Sequence, residues 1–140
     1  MEYVLKDSIG YRINRLANNI NTQLNKLLLK YDIGIEQRAI LEIIKFEPHV
    51  NQTMIAQLLG KDKTTISRSL NALEKKGLLC RSEFLHDKRS NTIRLTSKAE
   101  TILVNSLEEI KELRQRVHGS LTEQETLLLF TSLNKITQAL

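Results

Sequence analysis

The chain has 140 residues, of which 41% are apolar and 26% charged, and carries a net charge of +5. That length suits one domain with its own core, and the composition is ordinary for a soluble globular protein. A single cysteine, Cys80, excludes an internal disulfide; the longest apolar run, Leu127 to Phe130, falls far short of the roughly 18 residues of a membrane span, and the N-terminus has no signal-peptide stretch, so the sequence predicts a reduced, cytoplasmic protein.

Apolar residues at steps of four and three (Ile9, Ile13, Leu16, Ile20, Leu24, Leu27, Tyr31) predict one long helix over residues 5–31, started by Asp7 or Ser8. So long a stripe needs a partner, either the chain's own core or a second copy. Asp32 to Gly34 ends it. A second helix is predicted from Ile35 through Ile40, Leu41 and Ile44 to Phe46, closed by Pro48.

Asn51 then reads as the N-cap of a short helix reaching Leu59, and Asp62 as the N-cap of another reaching Lys76, with Gly77 as its stop. Ala56, Gly60 and Ile66 have the spacing of a helix-turn-helix: a small residue for close packing, a glycine for the positive φ of the turn, and a plug between the helices. The second of these helices buries Ile66, Leu70 and Leu73. Its other face carries Lys63, Thr64, Ser67, Arg68, Asn71 and Lys75, residue types that read base edges and grip phosphates. Any solvated helix face is polar, so the pair alone leaves a structural reading open.

Two β-rich runs, Leu79 to Leu85 and Thr92 to Thr96, flank a polar loop from His86 to Asn91 and predict a hairpin. A long helix to about His118 follows, with Thr96 or Ser97 as its cap and Ser97/Glu100 as a capping box. Thr122/Glu125 forms a second box, opening a terminal helix that is apolar on most sides. The two ends of the chain hold more apolar surface than a monomer of this size easily buries, which points to a homodimer.

Charge is concentrated. Lys61 to Lys98 contains ten cations and four anions, an excess of six, and the rest of the chain sums to −1. Such a patch suits a polyanion. An anionic membrane is the weaker reading, because no long apolar face accompanies the cations.

Lys76-Gly77-Leu78-Leu79-x-Arg81 is followed by Asp87-Lys88-Arg89 and, after five intervening residues, by Leu95-Thr96. This pattern resembles the MarR family of winged-helix transcription regulators, with its KGL-apolar-x-R run, D-x-R and L-T. Ile33-Gly34-x-x-Gln37-x-x-x-Leu41 is similar to that family's second-helix opening, although Gly34 stands where a capping Thr or Ser is common. The helix order extends the resemblance over essentially the whole chain.

The resemblance implies a mainly α fold with a small β-hairpin wing. It implies a single domain, 1–140, with dimerisation helices at 5–31 and 97–140 around a winged helix-turn-helix at 35–96. It implies a homodimeric regulator of double-stranded DNA, more often a repressor, whose two recognition helices (Asp62 to Lys76) enter half-sites about 34–36 Å apart. Carried over by position, Lys63, Thr64, Thr65, Ser67 and Arg68 are the groove contacts. Read from the residues, Asn71 and Arg81 extend this surface, and Asn51 and Thr53, with Gln52, stand where a helix N-terminus can hold a phosphate. Arg89 at the hairpin tip suits a narrow minor groove, and Lys88 and Ser90 add phosphate contacts. Asp87 either holds Arg81 or Arg89 in one rotamer or bonds its own backbone to shape the turn. Many relatives also release DNA on binding a small aromatic or phenolic effector; Tyr11, Arg12 and Phe46 lie on elements that could line its crevice, though core or solvent roles fit each better.

No enzyme or cofactor is expected. His49, His86 and His118 are scattered, and HExxH, CxxC and glycine-rich phosphate loops are missing. Cys80 reads as a small packed hydrophobe. The second reading is a helical protein–protein interaction module with weak DNA contact, against which the +6 segment argues.

Overall fold

The computed structural model describes residues 4–84 and 87–140, with the backbone alone for the strand residues between 82 and 91. Two compact units are present, Met1–Ser106 and Leu107–Leu140. The first contains helices α1 (Ile9–Leu28), α2 (Ile35–Phe46), α3 (Gln52–Leu59) and α4 (Lys63–Lys75), strands β1 (Leu79–Phe84) and β2 (Asp87–Leu95), and the start of α5 (Ser97–Gly119); the second contains the rest of α5 and α6 (Glu123–Gln138). The fold is mainly α with one antiparallel hairpin, as the sequence predicts.

The first helix is shorter than expected. Ser8 is extended, and its Oγ accepts from the Tyr11 backbone N–H at 3.4 Å, so the α-helix starts at Ile9 and Leu5–Asp7 is a separate 3₁₀ turn. At the other end Leu29–Tyr31 tightens to 3₁₀, and Asp32 turns left-handed at φ 55°. The apolar stripe divides between two destinations. Leu24 is buried in the core of the first unit, joined there by Leu28 in place of the expected Leu27, which is half-buried, while Ile9, Ile13 and Leu16 are exposed.

Helix α2 has an unexpected start. Gly34 has no side chain with which to cap it. Asn25, on α1, serves another orphan donor of the first turn: its Oδ1 takes the Ile35 N–H at 2.7 Å. Gln37 Oε1 accepts from the Gly34 N–H at 3.3 Å, completing the reciprocal half of a capping box. Ile40, Leu41 and Ile44 are buried.

Asn51 and Asp62 cap α3 and α4 as the sequence predicts, their Oδ1 atoms accepting from Met54 N at 2.9 Å and Thr65 N at 2.7 Å. Both helices end in Schellman turns. Gly60 at φ 63° lets Lys61 N reach Ala56 O, and Gly77 at φ 72° lets Leu78 N reach Leu73 O. Ile55, Ala56, Ile66, Leu70 and Leu73 close the space between the helices, each at most 5% exposed.

The hairpin differs from expectation in its second strand, which begins at Asp87 and not at Thr92, so most of the predicted loop belongs to the ladder. The pairing is regular from Leu79↔Leu95 to Ser82↔Thr92. It is then irregular: β1 advances two residues to Phe84 while β2 goes back five to Asp87. Residues 88–91 are polar and do not alternate, which explains why they read as loop.

Thr96, not Ser97, caps α5. Its Oγ1 accepts from Ala99 N at 3.4 Å and donates to Gly77 O at 2.7 Å. With the cap one residue earlier, the expected Ser97/Glu100 box has the wrong register, and Glu100 pairs with Lys45 of α2 instead. In the second unit the Thr122/Glu125 box forms with both bonds at 3.2 Å. Ile110 and Leu113 are buried, and His118 meets the Phe130 ring edge-on at 6.4 Å. No described residue of α6 is buried.

Candidate nucleic-acid interface

The surface predicted to meet DNA is built outward from α4. Because Ile66, Leu70 and Leu73 turn into the core, 3.6-residue periodicity brings Lys63, Thr64, Arg68, Asn71 and Lys75 to the exposed side, with Thr65 and Ser67 half-buried at its edge. The helix is held at both ends. Gln52 Nε2 donates to Lys63 O at 3.0 Å, tying α3 to the first turn of α4. After the last turn, Lys76 Nζ donates to the carbonyl oxygen of left-handed Asp32, and Lys98 Nζ donates to Lys76 O at 3.2 Å.

The Asp62 carboxyl is held below its usual range. The largest cause is the hydrogen bond from the Thr65 backbone N–H, followed by the Thr65 hydroxyl; the Thr64 N–H and the charge of Arg68 add to it. At neutral pH an anion therefore sits at the positive end of the α4 dipole.

The cationic excess is smaller than the sequence count. Lys61 Nζ lies 3.1 Å from Glu36, Lys76 Nζ 3.8 Å from Asp32, and Arg81 Nε 2.7 Å from Glu74. Two of these carboxylates, Glu36 and Asp32, come from outside the Lys61–Lys98 segment, so its local excess falls from six to four. Lys63, Arg68, Lys75 and Arg94 present exposed side chains.

The expected site residues fall into distinct groups. Lys63, Thr64, Thr65, Ser67 and Arg68 share one helix face. Asn51 spends its side-chain oxygen on its own helix, and Thr53 beside it is exposed. Asn71 and Arg81 face one another: Arg81 Nη2 donates to Asn71 Oδ1, and Arg81 Nε to Glu74 Oε2. Asp87, Lys88, Arg89 and Ser90 belong to β2 by backbone, but their side chains, and with them the expected Asp87 pairing, lie outside the described residues.

Sequence reasoning missed three residues. Glu74 enters it only as the end of the polar face. Asn25 has no local signal, since it caps a helix ten residues away. Arg38 is 2% exposed on α2: Nε donates to Ser106 Oγ at 2.9 Å, Nη2 to Leu103 O at 3.2 Å and Nη1 to Glu42 at 2.9 Å. Its position three residues before Leu41 and six before Ile44 places it on the buried stripe, a signal masked by its charge.

The MarR family pattern matches residues 31–90, from the α1–α2 turn into β2. Solved structures match nearly the full length. The MepR–DNA complex of S. aureus is 24% identical at TM-score 0.86, covering 95% of this chain and 98% of that one. A mutant MarR from E. coli complexed with operator DNA is 23% identical at TM-score 0.84, covering 97% and 99%. CouR from Rhodococcus jostii RHA1 bound to p-coumaroyl-CoA is 20% identical at TM-score 0.79, covering 96% and 95%.

Proposed function

We propose that this chain is a member of the MarR family of winged helix-turn-helix transcription regulators, and that it acts as a homodimeric repressor on a pseudo-palindromic site in double-stranded DNA. The observation that carries the reading is the exposed face of α4, where Lys63, Thr64 and Arg68 stand together beside a hairpin wing. Short hydroxyl side chains and Arg68 reach base edges, and Lys63 at the start of the helix meets phosphate. In this reading Lys63, Thr64, Thr65, Ser67 and Arg68 enter the major groove. Thr53 and the backbone N–H groups at the start of α3 meet the adjacent phosphates, and Lys88, Arg89 and Ser90 form the wing contact.

Pairing is supported by apolar surface at the two ends of the chain. Ile9, Ile13 and Leu16 of α1 are exposed, and on α6 Leu127 and Leu128 are more than two-thirds exposed. Residues 5–31 and 97–140 would cover one another across two copies, leaving 35–96 to bind DNA. No described helix is long and apolar enough to cross a membrane, and a regulator of this class works beside the chromosome, in the cytoplasm of a bacterial cell. A crevice of about 180 Å³ behind α4, lined by Asn21, Ile35, Ala39, Ile40, Leu59 and Ile66 among others, suits a small ring as effector. Tyr11, Arg12 and Phe46 do not line it.

The test is sedimentation of the purified chain at micromolar concentration, together with duplex affinity at two salt concentrations. A dimer whose affinity falls steeply with salt is expected. A monomer, or a protein indifferent to DNA in dilute buffer, overturns the proposal and leaves the interaction-module reading in its place.

A further inference from the structure

We propose that Arg81 is a positioning residue, one that sets the wing against the recognition helix and makes no phosphate contact. The inference rests on the DNA-binding role of α4 and the wing.

Strand alternation puts Leu79 and Arg81 on the same side of β1. Leu79 is 2% exposed, so that side faces inward, and Arg81 continues it one step beyond the core. Its cross-strand partner is Ile93, as Leu95 is that of Leu79. The guanidinium turns back onto α4. Nε donates to Glu74 Oε2 at 2.7 Å, and Nη2 donates to Asn71 Oδ1. Residues 71 and 74 are three apart and therefore neighbours on one helix face. A planar fork engaging two acceptors on one helix fixes direction as well as distance, which a lysine could not do.

Glu74 gains a reason from this arrangement. A carboxylate near the end of a DNA-reading face repels phosphate, yet here it pairs with Arg81, a cation that would otherwise be drawn to the backbone. Asn71 is likewise committed through its amide oxygen. Two residues that composition assigns to DNA contact are thus the joint between the parts that make that contact.

The experiment uses a duplex selected from a random pool by the wild-type protein, with affinity measured across a salt series. Arg81→Gln should weaken binding about tenfold, the scale of one lost specific contact, with an unchanged salt slope. Glu74→Gln should also weaken binding, and the double variant should be no worse than the weaker single variant. Lys63→Gln is the contrast, expected to flatten the slope by about one per protomer. A flattened slope for Arg81→Gln, or tighter binding by Glu74→Gln, overturns the proposal. Should Arg81→Gln fail to fold, Glu74→Gln decides it. A second readout needs no DNA: the Arg81 Nε–H proton should exchange with water more slowly in the wild type than in Glu74→Gln, and equal rates would also overturn it. Wild-type protein that ignores DNA would instead defeat the functional reading, and the exchange measurement would still judge the joint.

Discussion

Asn25 and Gly34 crowd one another at the start of α2. The Asn25 Oδ1 that takes the Ile35 N–H lies 3.3 Å from where a Cβ on residue 34 would stand. A side chain at 34 would press on that amide, although as an N-cap it would serve the Glu36 or Gln37 N–H and not that of Ile35. Asn25→Ala should cost about 1 kcal/mol, the usual loss of an N-cap. Gly34→Ser should recover most of that loss in the Asn25→Ala background and gain little alone. Urea unfolding of the four proteins checks this; simple additivity of the two changes would contradict it.

Arg38 holds α2 to α5 through Ser106 Oγ and Leu103 O inside the first unit. Arg38→Ala should destabilise by about 2–4 kcal/mol, since it opens a void and removes the donor to a buried carbonyl. Ser106→Ala should cost only about 1 kcal/mol. Denaturant midpoints measure both. A loss below about 1 kcal/mol for Arg38→Ala would mean that the guanidinium is not buried in solution.

Three kinds of DNA contact are proposed for Arg68, Lys75 and Arg89. Arg68→Ala should change base preference, because it projects from the middle of the reading face. Lys75→Ala, at the end of the helix, should lower affinity on all sequences alike and flatten the salt slope by about one per protomer. Arg89→Ala should weaken specific binding strongly while leaving the dimer and its melting intact. Selection from a random pool, a salt series and a melting curve distinguish the three, and an unchanged gel shift for Arg89→Ala would remove the wing from the account.

Asp62 gives the recognition helix an acid limit. Its folded pKa is depressed, so its contribution is fully present above the unfolded pKa and lost as pH falls through the folded one. Stability should therefore decline in the range below about pH 4, where an exposed aspartate takes up its proton. Asp62→Asn keeps the cap without the titration and should show a shallower decline. Matching acid profiles for the two proteins would rule this out.

Much of this was legible in the residues because it is local. Asn51, Asp62 and Thr122 cap helices three residues away, and Gly60 and Gly77 occupy turns that demand positive φ. What escaped depends on contacts distant in sequence. Thr96 wins over Ser97 because its hydroxyl also reaches Gly77 O, nineteen residues back. Asn25 caps across a turn, and Arg81 finds Glu74 on the preceding helix. The start of β2 was hidden because 87–91 lacks alternation. The family signature contains Arg81, but it could not say that Asn71 and Arg81 are spent on one another.

The division of α1, half in its own core and half bare, has a bearing on dosage. When two copies must meet before either can grip DNA, occupancy at low abundance rises with the square of the amount of protein made. A cell that doubles its supply would then gain nearly four times the bound operator, giving a threshold response before any effector is involved.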